Sequence, residues 1–263
     1  MLRLILLAFL FAAFSPHTVM AGEGPPPKTL PTSVPQVVGG GPAAAMTEKQ
    51  HPPQVFTSAP GFPQAGPHAA HGALVWLPGV YGPDQPGPPN PPDLVGRFAG
   101  RHFDVFQFVR PRGADPLVGS GETLVRGLTD LRARGYKRIV VAGHSRGAWI
   151  ALSAMAHPGL ADAVVAVSPG AFGTKPERQP EARASWLALW RSARAPTMRV
   201  VLVQLADDPY DPDSRWRLVV AQRGKVRLKS VYRPAEPTGQ IGIYEPAFDE
   251  HLGAAIAAFA DPR

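Results

Sequence analysis

Gly143-His144-Ser145-Arg146-Gly147 is the stretch of sequence that predicts the fold. It follows the apolar run Ile139–Ala142 and precedes a run of helix-forming residues, Ala148–His157. A strand, the pattern G-x-S-x-G and a helix in this order are typical of a nucleophile elbow, a sharp turn that presents a serine hydroxyl to solvent. Its two glycines stand where a Cβ atom would collide with the adjoining strand and helix. We therefore predict that Ser145 is a nucleophile, against the alternative of an incidental serine in a glycine-bracketed turn.

Strands and helices alternate on both sides of this pentapeptide. Apolar runs predict strands at 73–77, 103–108, 139–142, 163–167, 200–205 and 226–232. Helical spacing predicts helices at about 94–99, 121–134, 148–157, 185–192 and 216–221, and a terminal helix through Phe248, Leu252, Ile256 and Phe259. Such alternation predicts an α/β fold, with a mostly parallel, doubly wound sheet flanked by helices. Charged residues alternate with apolar ones at 226–232, which indicates a sheet edge.

The domain organisation follows from composition. Residues 1–21 have a short basic start, an apolar stretch and a small-residue cleavage site, which is typical of a signal peptide and predicts a secreted or periplasmic protein. A retained N-terminal anchor is the alternative. Residues 22–71 are rich in proline and glycine and predict a disordered linker, with one strand near Val55–Thr57. Residues 72–263 have the length of one domain.

Composition also excludes several function classes. The chain has no cysteine, so it has neither a disulfide nor a thiolate metal ligand. No His-x-x-x-His pair occurs, and we expect no metal and no cofactor. The net charge of +7 is consistent with a weak attraction to anionic surfaces, but a solvated basic surface is the favoured interpretation. Charge alone does not indicate nucleic-acid binding, because no binding motif or series of stacking aromatics accompanies it.

The order of four motifs resembles that of the α/β-hydrolases. These motifs are the strand and turn Val75–Gly79, the elbow, the stretch Leu205–Pro209 after a buried strand, and the terminal helix. The chain looks most similar to the small dienelactone-hydrolase-like members. That resemblance covers nearly all of residues 72–263 and implies a minimal lid and a small-molecule ester substrate.

The resemblance also implies the donors of an oxyanion hole. They would be the backbone N–H groups of Arg146, which follows the nucleophile, and of Val80, in the loop after the first strand. Pro78-Gly79 stands where many relatives have His-Gly. This departure is mild, because the donor is a backbone group and Pro78 shapes only the turn.

The catalytic acid has three candidates after the strand at 200–205. In the family the acid commonly occurs in a Gly-x-x-Asp-x-x-x-Pro pattern. Aligning Leu205 with its glycine and Pro212 with its proline implies Asp208. Asp211 and Asp207 are the alternatives, and a solvated acidic turn is the non-functional interpretation.

The catalytic base is the point at which the sequence departs from the family. A serine hydroxyl needs an adjacent base, and relatives supply a histidine in the loop before the last helix. Here that loop contains Gln240 where the histidine is expected, and the next histidine is His251 in the first turns of the terminal helix. His251 is the expected base if that helix leans over the site.

Two hypotheses therefore stay open at the level of sequence. In the first, the chain is an exported serine hydrolase that cleaves a carboxylic ester through an acyl-enzyme on Ser145, with Asp208 and His251 completing the triad. In the second, it is a hydrolase-fold pseudoenzyme that acts as a binding or surface-interaction module. The intact elbow favours the first, and Gln240 favours the second.

Overall fold

A seven-stranded sheet forms the centre of the molecule. The computed structural model describes residues 55–81, 88–110 and 116–263. The expected signal peptide and the linker up to residue 54 lie outside these residues. The strands lie in the order β1-β3-β2-β4-β5-β6-β7. They are β1 Phe56–Ser58, β2 Gly72–Leu77, β3 Phe103–Phe108, β4 Ile139–His144, β5 Ala163–Val167, β6 Arg199–Gln204 and β7 Arg227–Tyr232.

Six of the strands are parallel, and β1 alone runs antiparallel, against β3. The central strands β2 to β5 are buried along their whole length, which explains their unbroken apolar runs. In β7 every residue is exposed or only partly buried, because this strand lies at the edge of the sheet. The predicted mostly parallel sheet and its edge strand are confirmed.

Helices cover both faces of the sheet, as the alternation predicts. They are α1 Asp93–Ala99, α2 Leu117–Ala133, α3 Arg146–Leu152, α4 Gln179–Ser192, α5 Ser214–Gln222, α6 Pro246–Phe248 and α7 Ala254–Ala260. Three-residue or four-residue 3-10 turns occur at Ser153–Ala156, Pro176–Arg178 and Gly242–Tyr244, and a π-helical turn spans Asp249–Gly253. Helix α4 begins six residues earlier than its apolar spacing predicts, since its first turns are polar and largely exposed.

Alternate side chains of each strand belong to separate cores. One core joins residues such as Val75, Val141 and Leu202 to α2, α3, α4 and α5. The other joins Trp76 and Val203 and their neighbours to α1, α6 and α7. Two cores on two faces are the consequence of a period-two strand with helices on both sides.

The predicted boundary at residue 72 is wrong, because residues 55–71 pack against the domain. Strand β1 pairs with β3, and Phe56 is buried edge-on against Phe108. The carboxylate of Asp104 accepts hydrogen bonds from the N–H groups of Ala65 and Gly66 at 2.7 and 2.8 Å. The strand expected near Val55–Thr57 is present. The rest of this stretch is held by long-range polar contacts that leave no periodic signal.

Candidate functional site

The elbow lies at the carboxyl end of β4. Ser145 has φ +53° and ψ −120°, a conformation that L-residues rarely adopt, and helix α3 begins at the next residue. A Cβ on Gly143 would lie 2.6 Å from the backbone carbon of Gly147. A Cβ on Gly147 would overlap the carbonyl oxygen of Leu77 in β2. Both glycines are therefore required by close backbone approach, as the sequence analysis expected.

The hydroxyl of Ser145 is only loosely held. Its one hydrogen bond to a described residue is 3.4 Å long and is donated to the carbonyl oxygen of Gly170. The side chain is half-buried and lines a cavity of about 590 Å³. Strained backbone around a serine that faces a cavity is a feature of functional sites.

His144 holds the loop that contains Gln240. Its Nε2 lies 2.7 Å from the backbone carbonyl of Gln240, and its ring packs edge-on against Tyr244. A carbonyl oxygen only accepts, so Nε2 carries the proton. Burial lowers the pKa of His144 to about 4, against a smaller opposing effect of that hydrogen bond. The ring is neutral at pH 7 and is a weak base.

The loop after β2 touches the elbow. A Cβ built on Gly79 would lie 3.2 Å from the Cβ of Ser145. This close approach keeps the peptide between Gly79 and Val80 beside the serine. Val80 itself is 52% exposed and lines the cavity, together with the buried Arg146 at the start of α3. The two residues expected to supply oxyanion donors therefore border the same cavity.

Arg110 anchors this loop, and the sequence analysis did not find it. Its Nη2 donates to the carbonyl oxygens of Pro78 and Gly79 at 2.6 and 3.2 Å. Its own carbonyl accepts a hydrogen bond from the hydroxyl of Tyr81 at 3.0 Å, and the residue is only 4% exposed. In a trans peptide the C=O and N–H groups point in opposite directions. Because Arg110 holds the Gly79 carbonyl, the N–H of Val80 points away from the guanidinium.

Among the three candidate acids, Asp208 has the free carboxylate oxygen. Its Oδ1 accepts the N–H of Tyr210 at 2.8 Å, while its buried Oδ2 has no hydrogen-bond partner among the described residues. Burial raises the pKa of Asp208 to about 6. The Tyr210 hydrogen bond opposes that rise, and the charge of Asp211 adds to it.

The other two acids have partners elsewhere. Asp211 is buried and forms an ion pair with Arg217 at 3.0 Å, and its Oδ2 accepts from Gln204 at 2.7 Å. Burial also raises the pKa of Asp211. Asp207 is exposed beside Arg233, at 3.3 Å. Both carboxylates therefore already have a cationic partner, whereas Oδ2 of Asp208 can still accept a hydrogen bond.

Gln240 occupies the loop between the last strand and the terminal helices, beside the elbow. Its Nε2 donates to the carbonyl of Ser168 at 3.1 Å and would lie 3.5 Å from a Cβ on Gly170. Gly170 is also the residue whose carbonyl accepts from Ser145. A bridge between Ala206 and Thr238 holds this loop beside the acids. An amide therefore stands close to the serine, in the region where the family has an imidazole.

His251 lies elsewhere. Its side chain is exposed in the π-helical turn Asp249–Gly253, which packs beside α1 through the ion pair of Asp249 with Arg97. It is not among the described residues that line the Ser145 cavity. The expected pairing of His251 with Ser145 is thus not seen, because the terminal helix runs along one face of the sheet rather than over its carboxyl edge.

Apolar groups dominate the rest of the cavity. Val80, Tyr210 and Ile241 are exposed at its margin. Gly79, Tyr81, Pro89, His144, Arg146, Gly170, Ala171, Gly173, Gln240 and Tyr244 complete the described lining. No carboxylate is among these described residues.

Residues 168–178, between β5 and α4, are too short for a lid domain.

The described residues contain neither a candidate metal site nor a candidate membrane-spanning helix. No group of three or more His, Cys, Asp or Glu side chains is placed to hold a metal ion. No helix in this part of the chain is both long and apolar enough to cross a membrane.

Comparisons with known proteins identify the fold. No family model matches the sequence, and no curated protein matches it. An esterase of Pyrococcus furiosus matches at 16% identity and a TM-score of 0.52, over 73% of this chain and 83% of its own. Est1E from Butyrivibrio proteoclasticus matches at 14% identity and a TM-score of 0.53, over 73% of this chain and 87% of its own.

A larger protein matches over part of its length. The acylaminoacyl peptidase of Pyrococcus horikoshii has a TM-score of 0.54 at 14% identity, over 75% of this chain and 37% of its own. At such identities the likeness is one of fold, which different activities share. Together with the parallel sheet and the elbow at the end of β4, it shows that this chain has the α/β-hydrolase fold.

Proposed function

We propose that this chain is an exported serine hydrolase that cleaves an uncharged carboxylic ester through an acyl-enzyme on Ser145. The observation that carries the proposal is the left-handed backbone of Ser145, at φ +53°, on a turn where Gly143 and Gly147 admit no side chain. Such strain has a cost of about 1–3 kcal/mol, and it persists where function requires it.

The proposed chemistry is acyl transfer in two steps. The Oγ of Ser145 attacks the carbonyl carbon, the bond to the leaving alkoxide breaks, and the serine proton ends on the alcohol. Water then attacks the acyl-enzyme, releasing the carboxylic acid and restoring the hydroxyl. In both steps the N–H groups of Val80 and Arg146 stabilise the oxyanion, and each such donor contributes about 3–4 kcal/mol.

The cavity supports an ester with an apolar acyl group. Its exposed margin is formed by Val80, Tyr210 and Ile241, and its described lining contains no carboxylate to attract a cationic substrate. Ligand sites are commonly apolar with a few convergent polar groups. Ser145 and Gln240 are two of the polar residues that line the cavity, and both lie beside Gly170.

Gln240 makes slow turnover an expected property. A neutral amide does not accept a proton at pH 7, whereas a general base accelerates such reactions by about 10²–10⁴-fold. Without the imidazole, positioning and the oxyanion hole still give about 10³–10⁴-fold over water. Asp208, with its free Oδ2, is the proposed acid. No imidazole of the described residues forms a hydrogen bond with it.

The second candidate function is ligand binding without chemistry, and Gln240 is the observation that favours it. The amide is fixed by its hydrogen bond to the carbonyl of Ser168, at 3.1 Å, and so presents a rigid polar group to a bound molecule. In that case the apolar cavity holds its ligand intact.

Labelling by a fluorophosphonate separates the two candidates. The wild-type protein, Ser145→Ala, Gln240→His and the matched control Ile241→His are incubated with the probe and analysed by intact mass. The control adds the same side chain one residue away, at an exposed position of the same loop. We expect stoichiometric modification of the wild type and none of Ser145→Ala.

The other outcomes are equally decisive. Gln240→His should hydrolyse p-nitrophenyl acetate about 10²-fold faster than the wild type, while Ile241→His should not. An inert wild type with a reactive Gln240→His variant supports the binding function. Failure of both to react removes Ser145 as a nucleophile.

Export is proposed from residues 1–21 alone. In a bacterial host that expresses the full chain, we expect the protein in the periplasmic fraction, beginning near Gly22. Recovery of the uncut chain from the cytosol would contradict this.

A further inference from the structure

A second cavity lies at the opposite edge of the sheet from Ser145. It measures about 820 Å³ and lies between the ends of α4 and α5. The chain segments that follow these helices lead into the amino ends of β6 and β7. It is lined by Leu187, Trp190, Arg191, Ala193, Arg194, Pro196, Val220, Arg223, Gly224 and Lys225. It shares no lining residue with the cavity beside Ser145.

Four cations surround this cavity, and no carboxylate is among its described lining residues. Arg191, Arg194, Arg223 and Lys225 are exposed, and no ion pair or side-chain hydrogen bond joins them to a described residue. Elsewhere arginines commonly face a carboxylate. Examples are Arg97, Arg132, Arg183 and Arg217.

Helix termini explain only part of this clustering. Arg191 lies in the last turn of α4 and Arg223 caps α5, and cations are favourable at helix C-termini. Arg194 and Lys225 lie beyond both helices and gain little from that effect, which decays within a turn. The four charges repel each other, so their convergence costs stability unless an anion joins them.

The floor of the cavity is apolar. Trp190 and Val220 are buried, and the indole of Trp190 lies against Gly224, where a Cβ would be 2.5 Å from the ring. The Nε1 of Trp190 is buried without a hydrogen-bond partner among the described residues. An apolar floor beneath a cationic rim matches a ligand with an apolar body and an anionic head.

We infer that this cavity binds an amphiphilic anion, an alkyl or aryl group that carries a phosphate. Its volume is within the range of about 300–1,000 Å³ that is usual for small-molecule sites. Arginine pairs are well suited to phosphate, because the guanidinium donates in a bidentate fork. The same chemistry occurs in a soluble phosphate monoester and in a phospholipid headgroup, so the experiment includes both.

The test is calorimetric titration of the full mature chain with octyl phosphate. Inorganic phosphate lacks the apolar body and octyl glucoside lacks the charge, so both should bind at least about tenfold more weakly. Arg194→Gln with Arg223→Gln should weaken octyl phosphate binding at least about tenfold. The matched control, Lys175→Gln with Arg215→Gln, removes the same charge from exposed positions outside the cavity and should change it less than about twofold.

Sedimentation with phosphatidylglycerol vesicles then identifies the source of the ligand. Loss of vesicle binding in the Arg194/Arg223 double variant, with retention in the control, indicates a headgroup in a bilayer. Binding of octyl phosphate without vesicle binding indicates a soluble ester. The inference is overturned if octyl phosphate does not bind the wild type, or if both double variants, with wild-type melting temperatures, lose affinity equally.

Discussion

At the scale of single residues, the buried carboxylate of Asp208 has one oxygen without a hydrogen-bond partner among the described residues. Its pKa is raised from 3.8 to about 6, chiefly by burial. A folded-state pKa above the unfolded value means that protonation stabilises the fold. That contribution is fully present below about pH 3.8 and is lost as the pH rises through 6.

Asp208→Asn should therefore raise the free energy of unfolding at pH 8 by about 1–3 kcal/mol, and it should change that free energy little at pH 4. Urea unfolding at the two pH values measures both differences. Asp207→Asn is the control, since that carboxylate is exposed beside Arg233 and its substitution should change the free energy of unfolding by less than about 1 kcal/mol. Equal free energies of unfolding for the wild type and Asp208→Asn at pH 8 would show that burial of the charged carboxylate does not destabilise the fold.

Arg110 is a positioning residue at the same scale, because it acts through the loop that carries Val80. Arg110→Gln should lower the maximal rate of fluorophosphonate labelling of Ser145 by about 10²-fold, the usual effect of losing one oxyanion donor. The half-saturating probe concentration should stay unchanged, because the cavity is intact. Arg110→Lys keeps the charge and should lose less. If Arg110→Gln labels at the wild-type rate, the orienting role is wrong.

At the scale of elements, the elbow depends on backbone contact between β2 and α3. Gly147→Ala should cost more than about 3 kcal/mol, because its Cβ overlaps a carbonyl oxygen of β2 that cannot move without the sheet. Gly96→Ala in α1 is the matched control, since nothing lies within 4 Å of its Cβ position. That variant should gain about 0.5–1 kcal/mol. Denaturant midpoints of the two variants test the contrast, and similar midpoints would refute it.

At the scale of the whole molecule, Asp261 ties the chain's end to three distant segments. Its buried carboxylate lies 3.2 Å from Nε2 of His71, 3.5 Å from Nη1 of Arg101 and 3.4 Å from Nε of Arg138. Asp261→Asn should cost about 2–4 kcal/mol, since a buried neutral amide cannot replace the charge-assisted contacts of this carboxylate with the partly exposed Arg101 and Arg138. For a domain of this size that corresponds to a drop of about 5–12 °C in melting temperature.

Asp130→Asn is the control for this prediction. Among the described residues, its exposed carboxylate forms an ion pair only with Arg134, at 3.9 Å. Its removal should change the melting temperature by less than about 2 °C. Equal shifts in melting temperature for the two variants would show that the contacts of Asp261 with His71, Arg101 and Arg138 do not stabilise the fold.

Local patterns were enough to predict the α/β fold, the elbow and the edge strand. Strand burial, helical spacing and the steric need for glycine at 143 and 147 are properties of short stretches, and they appear directly in the order of residues. The order of the motifs also favours Asp208 over Asp207 and Asp211 as the acid, and that assignment stays a prediction.

Tertiary structure alone decided the contents of the site. Arg110 lies 32 residues from the carbonyl it holds, and His144 lies 96 residues from the Gln240 carbonyl, so no local pattern reveals either contact. The separation of His251 from Ser145 likewise depends on the path of the terminal helix across the sheet. Residues 55–71 join the domain through pairing with β3 and through Asp104. Periodicity reports the burial of a segment's own face, whereas these groups are placed by partners far along the chain.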